Sequence, residues 1–247
     1  MSRNFELLRR AEMEQELLGT LRVPGRTAPT NGRARAGRRS LAGEEEAKLV
    51  QRLFLSGAGG VRLVVFCGVE PGHGAGQVCA GASEVLAAQV SGGVCAVDAN
   101  FSFPQLHPHF GVPSCPGLTD AVSDHGPLQS FVQQTPIANL WLISCGSGAS
   151  EEVRTVLPPD RLQARLGDLR AQFDYILVSA PPAHLSADTI ALGRFSDGVV
   201  LVLEANSTRR EVAQKSKLSL ETANVKLLGA VLNNRTFPIP RAIYSKL

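Results

Sequence analysis

From residue 60 onward, short and almost uninterrupted apolar runs alternate with longer mixed segments. The runs are Leu63–Cys67, Val94–Val97, Leu140–Ser144, Tyr175–Val178, Val199–Leu203 and Leu228–Leu232. They are apolar at successive rather than alternate positions, as expected of strands covered on both faces. Between them, Gln77–Gln89, Asp160–Gln172 and Arg209–Ala223 are long enough to be crossover helices. Strand and helix alternating at this spacing predict an α/β domain with a doubly wound, mainly parallel sheet. No repeat at a solenoid period interrupts the pattern.

Upstream the pattern differs. Phe5, Leu8, Leu17 and Leu18 are spaced for a short charged helix over residues 4–18. Pro24, Pro29, Gly25, Gly32 and Gly37 break any periodicity between 19 and 42, where six arginines favour a solvated linker. Leu49, Leu53 and Phe54 give Glu44–Leu55 an apolar helical face. The chain is therefore divided into an N-terminal helix and arginine-rich linker (1–43), a helix leading into the domain (44–59), the α/β domain (60–240) and a C-terminal tail (241–247).

Composition narrows the function. Of 247 residues 44% are hydrophobic, enough for a sizeable core, and the net charge of +3 is too small to mark the whole molecule as a polyanion binder. Residues 1–40 carry nine arginines against four glutamates, yet no aromatics interleave with residues 22–39 to stack on bases, so no nucleic-acid partner is expected. Five cysteines, none in CxxC spacing, argue against a zinc ribbon and fit buried thiols in a reducing compartment. His107 and His109 have no Cys or carboxylate at ligand spacing, and no GxSxG elbow accompanies Ser144, Ser147 or Ser179. No apolar run reaches the ~20 residues of a membrane span. The expectation is a cytoplasmic protein that meets the inner face of the membrane through a partner.

The candidate chemistry lies after the first strand. Gly68-Val69-Glu70-Pro71-Gly72-His73-Gly74-Ala75-Gly76-Gln77 is a glycine-rich turn leading into a helix, the place where an α/β protein cradles phosphate on backbone amides. Gly74 stands at the second glycine of GxxxxGK[ST], with Gly68 one residue further upstream than the motif's first glycine, but Ala75 and Gly76 stand where the lysine and the metal-binding hydroxyl belong. His73 is the one titratable nitrogen in the turn.

The remaining motifs, in order, resemble the bacterial capsule and exopolysaccharide tyrosine autokinases, relatives of the MinD/ParA ATPases. Pro71-Gly72-His73-Gly74-Ala75-Gly76-Gln77 is similar to the family's PGEGKST. Val97-Asp98-Ala99-Asn100-Phe101-Ser102-Phe103-Pro104, with His107, Phe110 and Gly111, is similar to its VDADLRRP segment. Gly117-Leu118-Thr119-Asp120 matches GLTD, and Phe173-Asp174-Tyr175 through Ala180-Pro181-Pro182 resembles FDYVIIDTPP. Asp188, Ser196-Asp197-Gly198-Val199-Val200 and Leu228-Gly229-Ala230-Val231-Leu232-Asn233 complete the series.

The resemblance implies a P-loop NTPase-like fold and a protein-tyrosine kinase ancestry. It also implies ATP or ADP with Mg as cofactor and a membrane polysaccharide chain-length or export protein as partner. By resemblance, Gly72, His73, Gly74, Ala75, Gly76 and Gln77 would contact nucleotide and Asn233 its base. Asp98 would be the catalytic or metal carboxylate, and Tyr244 a phospho-acceptor. Glu45, Lys48 and Arg52 would be assembly contacts, and homo-oligomers or hetero-oligomers with an active kinase would form. The departures fall on chemical positions: Ala75, Gly76, Ser179 for the third-motif carboxylate and Asn100 for the second carboxylate of the second motif. The expectation is a degenerate, regulatory or structural member of the family. The alternatives are an active kinase or ATPase with displaced groups completed by a partner, and a MinD/ParA-like positioning module.

Overall fold

The structure, a computed structural model, describes residues 43–56, 60–124, 126–148 and 157–234. The expectations for residues 1–42 and for Tyr244 lie outside the described residues.

Among the described residues seven strands form one sheet in the order β3-β4-β2-β5-β1-β6-β7. The strands are β1 (Leu63–Gly68), β2 (Val94–Asp98), β3 (Gln133–Gln134), β4 (Leu140–Ile143), β5 (Tyr175–Ala180), β6 (Gly198–Glu204) and β7 (Leu227–Asn233). All pairs are parallel except β3 with β4. Every residue of β1 and β2 is buried, because helices cover both faces. The doubly wound α/β class read from the apolar runs is the fold observed.

One face packs on α1 (Ala75–Gln89): Val64, Phe66, Ala96, Leu142 and Leu177 meet Val78, Cys79, Ala82 and Leu86. Small residues in α1 bring it close to the sheet and to the leading helix, which runs over 43–50 and continues as a wider π-type turn, Gln51–Leu55. A side chain at Gly81 would overlap the Glu46 carboxylate of that leading helix. The short helices α2 (Leu106–Phe110) and α3 (Leu118–Ser123) follow β2. The opposite face is covered by α4 (Pro159–Gln172), α5 (Ala187–Phe195) and α6 (Arg210–Thr222) through Leu162, Leu166, Leu169, Leu192 and Leu220.

Two details depart from the sequence reading. The first crossover helix starts at Ala75 rather than Gln77, and β3 is an antiparallel edge strand of two glutamines that carries no apolar signal.

The Ser196-Asp197-Gly198 motif acts structurally. Asp197 accepts hydrogen bonds from the amides of Arg62 (2.8 Å) and Leu63 (2.7 Å) and pairs with Arg170 at 2.9 Å. It ties the starts of β1 and β6 to the end of α4. Burial alone would raise its carboxyl. The Arg170 hydrogen bond and the two amides outweigh burial and hold it below the ordinary carboxylate value. A depressed folded pKa contributes stability above the unfolded value of about 3.9, and that contribution is lost as pH falls through the folded value. Asp197→Asn is expected to cost about 2 kcal/mol at pH 7. Urea melts should show the gap to wild type closing below about pH 4.

Candidate functional site

The glycine-rich turn sits at the carboxyl ends of β1, β2 and β5, where an open α/β sheet presents its ligand crevice. Gly72 and Gly74 adopt left-handed φ values of 84° and 76°, which glycine reaches without strain. The first hydrogen bond of α1 runs from the Val78 amide to the Gly74 carbonyl, 2.9 Å, so the amides of Ala75, Gly76 and Gln77 have no partner within the helix. Beside them lies a small hollow, partly open to solvent, with walls that include Glu70, Gly72, Ala75, Asn100, Phe103, Gln105 and Pro182.

The residues expected to touch a nucleotide are brought together, but the side chains of His73 and Asn233 are taken up by contacts within the protein. His73 is buried, and its Nδ1 lies 3.2 Å from the Thr208 hydroxyl. That hydroxyl also accepts from the Glu204 amide at 2.8 Å. Nε2 faces Glu70 at 3.5 Å and Glu204 at 3.8 Å. His73 braces the turn against the end of β6. Asn233 lies over the turn, with Nδ2 donating to the His73 carbonyl at 3.3 Å, and any side chain at Gly74 would overlap it.

Asp98 is fully buried at the end of β2. Its carboxylate accepts from the amides of Gln105 and Leu106, each at 2.9 Å, and of Asn100 at 3.2 Å, and the Cys145 thiol donates to it. Burial pushes the carboxyl up, and these four donors pull it back. Across the sheet Asp98 is in register with Ser179, whose buried hydroxyl has no hydrogen-bond partner; the buried Asn100 Oδ1 also lacks one. Both stand at positions where the resemblance calls for a carboxylate. Burial raises the thiol of Cys67 to about 12 and raises those of Cys79, Cys95 and Cys145, which keeps these groups protonated and unreactive at neutral pH.

The residues present do not fit a magnesium–triphosphate. Ala75 supplies no cation, and Glu70 and Glu204 bring negative charge to the turn. Gly76 supplies no hydroxyl, and the place its side chain would take is filled: a Cβ there would lie 2.9 Å from Cβ of Gln105. Ser179 is neutral and Asp98 is occupied by backbone amides. Among the described residues no three His, Cys, Asp or Glu side chains converge as a metal site. Glu70, Gln105, Glu204 and Thr208 were not singled out by the sequence reading, because they carry no motif and matter only through what they touch.

By fold the chain is a MinD/ParA-like α/β protein. Septum-site-determining MinD from Pyrococcus horikoshii, solved with Mg-ADP, superposes with a TM-score of 0.60 at 22% identity over 75% of this chain and 76% of that one. The chimerical protein CapA2B2 gives a TM-score of 0.68 at 23% identity, covering 78% of this chain and 85% of that one. No protein-family model matches the chain. The sequence relatives are more particular. Tyrosine-protein kinase YwqD of Bacillus subtilis is 27% identical over 175 residues, 71% of this chain and 73% of its own length. Putative tyrosine-protein kinase EpsB of Ralstonia solanacearum is 32% identical over 177 residues, 70% of this chain but 23% of its own length. The resemblance read from the motifs is borne out: the chain is a relative of the bacterial tyrosine-protein kinases.

Proposed function

We propose that this protein is a non-catalytic relative of the tyrosine kinases of capsule and exopolysaccharide synthesis. It acts as a regulatory or structural partner, docking on a membrane chain-length or export protein or pairing with an active kinase. The observation that carries this reading is the start of α1, where Ala75 and Gly76 replace the lysine and hydroxyl and Gln105 fills the space over Gly76. Phosphoryl transfer rests on positioning and charge neutralisation, and loss of one positioned donor costs about 100-fold in rate. Here cation, hydroxyl and third-motif carboxylate are replaced together. Among the described residues no helix is long and apolar enough to cross a membrane.

The test is purified protein incubated with radiolabelled ATP and Mg²⁺, read for ADP release and phosphotyrosine. Neither is expected above the level of a protein-free control. Sustained turnover by this chain alone would overturn the reading.

A further inference from the structure

Gln105 lies between two parts of the site. Its amide donates to Asp98 at 2.9 Å, which fixes the backbone of the segment leading into α2. Its side chain covers Gly76 closely enough that a Cβ on Gly76 would lie 2.5 Å from Oε1, 2.9 Å from Cβ and 3.3 Å from Cδ of Gln105. The Oε1 contact could be relieved by rotation of a flexible end. The Cβ contact cannot, because Cβ moves only with the backbone, and that backbone is held by Asp98.

We propose that Gln105 is an internal plug. It occupies the position beside α1 from which a hydroxyl would hold a metal ion, and so keeps any phosphate-bearing ligand of the turn from being held there through a metal. This deepens the non-catalytic reading and rests on it for the nature of the site. The closure nevertheless has its own cause: restoring the missing side chains of α1 does not restore a metal site while Gln105 stays.

The experiment uses the full chain and a fluorescent ADP, titrated once with Mg²⁺ and once with EDTA. In wild type, Mg²⁺ is expected to change the affinity by less than about twofold. In Ala75→Lys/Gly76→Ser the same insensitivity to Mg²⁺ is expected. Adding Gln105→Gly, which removes the obstructing Cβ and is tolerated at a helix N-cap, is expected to give a Mg²⁺-dependent tightening of about tenfold or more, the effect of one restored charge-assisted contact. Mg²⁺-dependent tightening in the double variant with Gln105 intact would overturn the plug, and so would its absence from the triple variant.

Thermal melts keep the idea testable where a variant folds poorly. Gly76→Ser should lower the melting temperature by several degrees in the presence of Gln105 and by much less in the Gln105→Gly background. Equal losses in both backgrounds would show that the two residues are not in conflict. These outcomes are independent of ATP turnover, whose appearance in wild type would remove the non-catalytic reading instead.

Discussion

Asp98→Ala is expected to lower the free energy of unfolding by about 3–5 kcal/mol. The alanine leaves the amides of Asn100, Gln105 and Leu106 and the Cys145 thiol without their acceptor, at a position with no solvent exposure. A buried donor stripped of its partner costs about 1–3 kcal/mol, and some relaxation is shared among neighbours. Asp98→Asn keeps one oxygen for these donors and should lose about half as much. Urea unfolding at pH 7 measures both, as a fall in midpoint at constant slope. A carboxylate held in reserve for a metal ion would behave in the opposite way: removing an unpaired buried charge would leave stability unchanged or raise it. The sign of the midpoint shift therefore distinguishes a residue that shapes the segment from β2 to α2 from one waiting for a ligand.

The sheet was legible because its central strands are buried on two faces, which forces runs such as Leu63–Cys67 to be apolar at every position. β3 was not, since Gln133 and Gln134 owe their strand geometry to pairing with Trp141 and Leu142. The site was half legible. The glycine-rich run after the first strand located the turn, and the substitutions at Ala75, Gly76 and Ser179 can be read directly. What fills the emptied space cannot, because Gln105 lies 29 residues from Gly76 and is itself unmarked between the motif residues Pro104 and His107. His73 illustrates the same limit. A lone imidazole in a glycine-rich turn invites a ligand reading, but Thr208 and Glu204, more than 130 positions away, turn it into a brace. Motif resemblance likewise located Gly117-Leu118-Thr119-Asp120 without giving its physical purpose.

That purpose sets the other large effect: Gly117→Ala should destabilise the protein by about 3–4 kcal/mol, near the upper end for overpacking a tight contact. Gly117 has extended backbone, so dihedral strain is not the issue. The new methyl would overlap the Ser144 carbonyl and the Gly146 amide and lie 2.7 Å from the Gly146 Cα, all of them backbone atoms that cannot rotate aside. The same approach aligns a clasp. Leu118 and Thr119 amides donate to the carbonyls of Ser144 (2.8 Å) and Cys145 (3.0 Å), and the Thr119 hydroxyl takes the Gly148 amide at 3.0 Å. Asp120 accepts from the amides of Gly117 at 2.8 Å and Ser147 at 3.1 Å, and from the Ser147 hydroxyl. Prising α3 from the segment after β4 would loosen all of these together, including the position of Cys145 against Asp98. For a domain of this size the melting temperature should fall by about 6–16 °C. Gly167→Ala is the matched control: nothing lies within 4 Å of a Cβ there, and the residue sits exposed inside α4. Its melting temperature should hold or rise, because alanine at a helix interior is favoured over glycine by about 0.5–1 kcal/mol. The two changes add the same methyl group, so opposite signs would trace the loss at Gly117 to the backbone it meets rather than to the substitution itself.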